Sequence, residues 1–167
     1  MELKKDFSDG FIELVFGPRW TYIATVRGFL QNFFSITLSD SKWADVISMA
    51  ASELLENAVK YASQDGTRIS ARHNSQEKTL EMLVENYSDK KNIEVLKKEI
   101  ESVIKGDPEK IYLKKTQEAA LRTDGVSQLG FARIRYESNA EIKLEINDDL
   151  VQIVLLFDLS ESRSRHE

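Results

Sequence analysis

Glu53, Asn57 and Lys60 lie four and then three residues apart within Glu53-Leu54-Leu55-Glu56-Asn57-Ala58-Val59-Lys60-Tyr61-Ala62. On an α-helix, positions separated by four and seven share a face, so a carboxylate, an amide and an ammonium rise from one stripe. Such a trio can handle a nucleotide phosphate. The amide oxygen of Asn57 suits magnesium, Lys60 offers positive charge to phosphate, and Glu53 can take the proton of an attacking hydroxyl or water. The same spacing serves a plainer purpose too, because polar residues flank the apolar stripe of nearly every amphipathic helix.

A second stretch, Gly125-Val126-Ser127-Gln128-Leu129-Gly130-Phe131-Ala132-Arg133-Ile134, sets glycines ahead of a helix. Glycine lets backbone N–H groups approach phosphate, and a helix N-terminus favours the anion. Gly125 and Gly130 can equally do no more than shape a turn and a helix entry. Other chemistries are closed off by composition. The 167 residues include no cysteine, which removes disulfides, thiolate nucleophiles and Cys-based metal sites, and the two histidines, His73 and His166, cannot build a His-rich centre. Lys and Arg number 23 against 28 Asp and Glu, and the basic residues are scattered, so nucleic acid is not an expected partner. No apolar run approaches the roughly 20 residues of a membrane span. The charged start, Met1 to Asp9, lacks the apolar core of a secretory signal, which makes a cytoplasmic location the expectation.

The elements that must position these groups follow from periodicity. Phe11 to Phe16 reads as a strand closed by Gly17-Pro18, and Ile23, Val26, Leu30, Phe33 and Phe34 then mark a helix from about Pro18 to Ile36. Ser39-Asp40-Ser41 offers caps for a second helix carrying Trp43, Val46, Ile47, Ala50, Leu54 and Ala58, which Gln64-Asp65-Gly66 is expected to end. Trp20, Trp43, Phe29 and Phe33 are expected to pack these helices on a sheet. Strands are predicted over Thr67 to His73, with His73 near the surface, and over Thr79 to Asn86. Ser88 to Arg122 turns helical and charged, broken at Gly106-Asp107-Pro108; Phe131 to Glu137 follows as a short helix. Ala140, Ile142, Leu144 and Ile146 alternate with polar residues as a half-buried strand, and Val151 to Leu159 suits a central strand beside it. The expected architecture is α+β, a two-layer α/β sandwich with a mixed, mostly antiparallel sheet and helices on one face. One domain spans 1–159, with 88–122 as a helical lid or insertion and 160–167 as a flexible tail.

Glu53 to Ala62 resembles the N-box of the GHKL ATPases, the group that includes the ATPase domains of histidine kinases, anti-sigma-factor kinases, gyrase and Hsp90. That resemblance implies the Bergerat-type sandwich, ATP and Mg2+ as cofactors, Glu53 as general base, Asn57 as the magnesium ligand, and Lys60 and Tyr61 near the phosphates. Gly125 to Ile134 is similar to the family's second glycine box, with Gly125, Ser127, Leu129 and Gly130 in the phosphate-covering loop, although Ser127-Gln128 stands where a smaller pair is usual. After the second strand Asn86-Tyr87-Ser88-Asp89-Lys90 takes the place of the family's D-x-G-x-G. Asn86 in the Asp position can still accept a bond from the adenine amino group, without the charge that strengthens it.

The eroded first box, the charged helical pair and the closing hairpin look like the SiaB-like branch of these bacterial regulators, from Phe11 to Phe157. That branch implies partner switching on a small STAS-domain protein of the anti-anti-sigma type, and leaves room for a homodimer. The resemblance implies a Mg-ATP-dependent serine/threonine protein kinase of the anti-sigma-factor type. The alternative is a GHKL-fold docking module without efficient nucleotide chemistry. ATP hydrolysis driving conformational work fits least, since no transducer domain follows.

Overall fold

Leu80, Met82 and Val84 are buried while Glu81 between them is exposed, so this segment lies in a sheet with one covered face. The computed structural model describes residues 10–17, 20–123 and 128–160, with Asp65 described by its backbone alone. In chain order the elements are β1 (Phe11–Phe16), α1 (Trp20–Leu38), α2 (Ser41–Tyr61), β2 (Ala62–Asn74), β3 (Thr79–Ser88), α3 (Lys90–Ile104), α4 (Pro108–Leu121), α5 (Gly130–Ser138), β4 (Glu141–Asn147) and β5 (Leu150–Asp158). The sheet order is β1-β2-β3-β5-β4. The expected two-layer α+β sandwich is observed, and each described strand pair is antiparallel, where a mixed sheet was anticipated. β5 is an interior strand, in keeping with its apolar run, flanked by β3 and the edge strand β4.

Capping chemistry sets the helix starts. Asp40, Asp89 and Asp107 each accept a hydrogen bond from the backbone N–H three residues on, at 3.0, 2.8 and 2.9 Å, satisfying a donor that the first turn leaves open. Pro108 then occupies the first turn of α4, where its missing N–H costs nothing. The core lies between α2 and the sheet: Ile47, Ala51, Leu54 and Leu55 meet Ile69, Met82, Val84, Ile153 and Leu155, all essentially inaccessible. On the opposite face Glu85 is also buried, flanked by its register partners Arg68 and Gln152, which hydrogen-bond its two carboxylate oxygens. None of the described helices is long and apolar enough to cross a membrane.

Two expectations need correction. α2 ends at Tyr61, not at Gln64-Asp65-Gly66, and β2 starts at once with Ala62 paired to Ser88. The register shifts before Thr67, and Gly66 takes up the irregularity at φ 114°, a conformation open to glycine but strained for other residues. Second, Trp20 and Phe29 do not pack on the sheet; they are 60% and 47% exposed. α1 rests mainly on α2, so only its Ile23, Leu30 and Phe34 stripe is covered. Trp43 is buried as expected, edge-on to Phe157, and Phe33 is half-buried. His73 lies in β2, half-buried.

Candidate functional site

Helix α2 carries the first site residues, and its period puts Glu53 and Asn57 one turn apart beside the Leu54 and Ala58 core positions. The Glu53 carboxylate faces the start of α5. A Cβ built on Gly130 would stand 2.8 Å from Glu53 Oε2, so the missing side chain is what lets α5 press this close. From the next turn of α5, Arg133 Nη1 lies 3.2 Å from Glu53 Oε1. The N-cap position of α5 is Leu129, whose side chain makes no cap hydrogen bond. Burial, then the charge of Glu56, raises the Glu53 carboxyl above its ordinary range, against the opposing pull of Arg133 and Arg27.

One turn on, the side-chain nitrogen Nδ2 of Asn57 is buried and, among the described residues, has no hydrogen-bond partner; the same holds for the Thr67 hydroxyl on β2. Thr67 pairs in register with Asn86 of β3, and both are buried. Asn86 Nδ2 donates to the carbonyl of Tyr87 at 3.2 Å. The Ser88 hydroxyl donates to the Tyr61 carbonyl at 2.5 Å, fastening the end of α2 to the same end of β3. Buried polar atoms are normally paired, and an orphan costs roughly 1–3 kcal/mol, so Asn57 on α2 and Thr67 on β2 are two positions where the described fold leaves polar capacity open.

Lys60 is exposed, its Nζ 4.8 Å from the centre of the Tyr61 ring. It shares Glu53's face of α2 but stands about 10 Å further along the axis. The Tyr61 hydroxyl points elsewhere: it donates to Glu99 Oε2 of α3 at 3.1 Å in a buried bond. Burial and the charge of Glu99 push that hydroxyl's pKa up. Glu99 is itself raised by burial, opposed by the Tyr61 hydrogen bond and by Lys60, Lys115 and Arg122. Tyr61 thus joins α2 to the helical insertion.

The structure therefore brings together Glu53, Leu129 and Gly130, with Asn57 adjacent on α2 and Lys60 beyond it; Asn86 lies buried on β3. Gly125 and Ser127 lie outside the described residues. Arg133, Thr67 and Glu99 were not singled out from sequence. Two of the three left a readable signal: Arg133 follows Gly130 at helical spacing, and Glu99 occupies a place in the Leu96, Ile100, Val103 stripe where a charge is out of pattern.

No family model matches the chain, and no curated protein matches it significantly. Among solved structures, a chain of the SiaB-SiaC complex from Pseudomonas aeruginosa is similar in fold, with a TM-score of 0.65 and 15% sequence identity over 87% of this chain and 88% of that one.

Proposed function

We propose that this chain is a GHKL-type, magnesium-ATP-dependent serine/threonine protein kinase that acts on a small STAS-domain protein in a partner-switching pathway. The observation that carries this reading is the unpartnered, buried amide nitrogen of Asn57 one turn from Glu53. An Asn amide turned by half a rotation presents oxygen in place of nitrogen, so the same group can offer the acceptor that magnesium requires. The start of α5, where Leu129 gives no side-chain cap, and the exposed Lys60 are the groups this reading assigns to the phosphate oxygens. Asn57, Lys60 and the start of α5 are the groups that would hold the nucleotide and its metal in this reading.

Mg-ATP, when bound, supplies the phosphoryl group and the metal charge that activates it. Asn57 would hold the metal, and Lys60, exposed beside the Tyr61 ring, would offer its charge to the phosphates. Gly130 leaves room for the carboxylate of Glu53, and Arg133 orients it. Glu53 would take the proton from the acceptor hydroxyl, and burial, which raises its carboxyl above the ordinary range, makes it a stronger base than an exposed carboxylate. A protein substrate is supported by the fold neighbour, which was solved in a two-protein complex. A second reading, a docking module with little nucleotide chemistry, is favoured by Asn86, whose uncharged side chain stands where the family has an adenine-binding Asp.

Calorimetric titration of the full chain with ATP, with and without magnesium, separates them. The expected result is micromolar, magnesium-dependent binding that Asn57→Ala abolishes; flat titrations for both proteins leave the docking module.

A further inference from the structure

Helix α3 ends at Ile104, and the last turn of any helix leaves carbonyl groups with no partner inside it. One of them is filled from another element. Arg135 of α5 donates from Nη1 to the Val103 carbonyl, and its Nη1 and Nη2 lie 3.5 and 3.4 Å from the Gly106 carbonyl, in the joint between α3 and α4. A cation suits this place, because a helix C-terminus is the negative end of the dipole. Burial lowers the pKa of the guanidinium, and Asp107 at the start of α4 opposes the fall. One residue on, the Tyr136 ring stacks on Tyr112 of α4, with centroids 4.7 Å apart and planes 6° apart. Arg133 and Arg135 leave α5 about 200° apart around its axis, so one helix meets Glu53 with the first and the insertion with the second. Between them Phe131, Ala132 and Ile134 are buried. Apolar burial decides which face of α5 is inward but is non-directional. The exact setting of this nine-residue helix falls to its directional bonds, and Leu129 adds no cap bond to share the task.

We propose that Arg135 is a positioning residue: by anchoring α5 to the α3–α4 joint it holds Arg133 against the Glu53 carboxylate, so the insertion decides whether Glu53 keeps its cationic partner. The consequence for phosphate transfer rests on Glu53 being the base; the anchoring does not. At 3.2 Å the Arg133–Glu53 contact is already long for a charge-assisted bond, and a displacement of α5 by about 1 Å takes it out of hydrogen-bond range. The other charged groups acting on Glu53 are Glu56 on its own helix and Arg27 on α1. Neither is carried by α5, so both stay as a fixed background when α5 moves.

The test is a double-mutant cycle read on the Glu53 carboxyl by NMR, in the full chain without nucleotide, with the signal assigned by its loss in Glu53→Gln. Arg133→Gln is expected to move the Glu53 titration to higher pH in the wild-type background. With Arg135→Gln already present it should move it much less, because there the cation has already left the carboxylate. Arg135→Lys, which can still donate to the last carbonyls of α3, should restore most of the shift. Asp89→Ala removes the cap at the other end of α3. It should lower the melting temperature and leave the full Arg133 shift, which separates an anchor of α5 from a residue that only stabilises the insertion. Where transfer to a protein is measured, Arg135→Gln should lower kcat roughly tenfold to a hundredfold with the KM for nucleotide unchanged. Equal Arg133 shifts in the two Arg135 backgrounds overturn the proposal, whatever the transfer rate, as does a shift that shrinks as much in Asp89→Ala. A coupled titration in a chain that transfers no phosphate keeps the anchor and removes the kinase reading.

Discussion

Arg133 on α5 reaches the Glu53 carboxylate on α2 at 3.2 Å across 80 residues of sequence. The pair sets a balance: burial lifts the Glu53 carboxyl, and the guanidinium holds it down. Removing the cation in Arg133→Gln should therefore raise Glu53 further and move the acid limb of the phosphotransfer pH profile to higher pH. Glu53→Ala should lose about 10²–10⁴-fold in transfer while retaining nucleotide. A transfer profile that stays in place in Arg133→Gln, measured beside the carboxyl titration by NMR, would remove Arg133 from the reaction and leave it a packing residue.

Gly130 and Glu53 should be energetically coupled. A methyl group at 130 meets Glu53 Oε2 at 2.8 Å, so Gly130→Ala must displace the carboxylate from Arg133. Glycine in a helix otherwise costs roughly 0.5–1 kcal/mol relative to alanine. In the wild-type background these effects oppose, and denaturant unfolding should show no gain. In Glu53→Ala the clash is gone, and the same substitution should stabilise by roughly 0.5–1 kcal/mol. Strictly additive effects of the two changes would show that the close approach carries no strain.

Much of this arrangement was legible in the chain. The period-two strands β3 and β4, the helix-breaking Gly106-Asp107-Pro108 and the Glu53–Asn57 turn are local signals, and local signals survive without knowledge of the fold. Pairing across distant elements is different. Nothing adjacent to Arg133 says that it faces Glu53, because that depends on how α5 crosses α2. The end of α2 is not a local signal for a related reason: Tyr61 stops the helix where Ser88 captures its carbonyl and Ala62 pairs with Ser88. Hydrophobicity marks Trp20 and Phe29 as candidates for burial without saying which neighbour provides it.

The Tyr61–Glu99 bond makes stability depend on pH. Glu99 is raised in the folded state, so its protonated form is favoured there. Its contribution is complete below the ordinary carboxylate pKa and is lost as pH rises through the folded value. Glu99→Gln keeps an acceptor for Tyr61 and removes the charge; it should melt above wild type at pH 8, the difference shrinking toward pH 4. Tyr61→Phe should cost about 1–3 kcal/mol at neutral pH, since it strips a buried carboxylate of its donor. A Glu99→Gln variant whose melting curve tracks wild type across this range would mean that Glu99 is not carrying a buried charge.

Asn57 should trade stability against binding. Its side-chain nitrogen is buried with no partner among the described residues, a condition that costs roughly 1–3 kcal/mol. Asn57→Leu keeps the size and discards the orphaned group, so the variant should be more stable than wild type by on the order of 1 kcal/mol. Mg-ATP should reverse the order. At about 100 times its dissociation constant a ligand adds about 2.7 kcal/mol to the protein it binds, roughly 5–10 °C in melting temperature for a chain of this size. Wild type should show that rise and the variant none. Should Asn57→Leu melt below wild type without nucleotide, the amide serves the fold; should both proteins shift equally with Mg-ATP, the metal is held elsewhere.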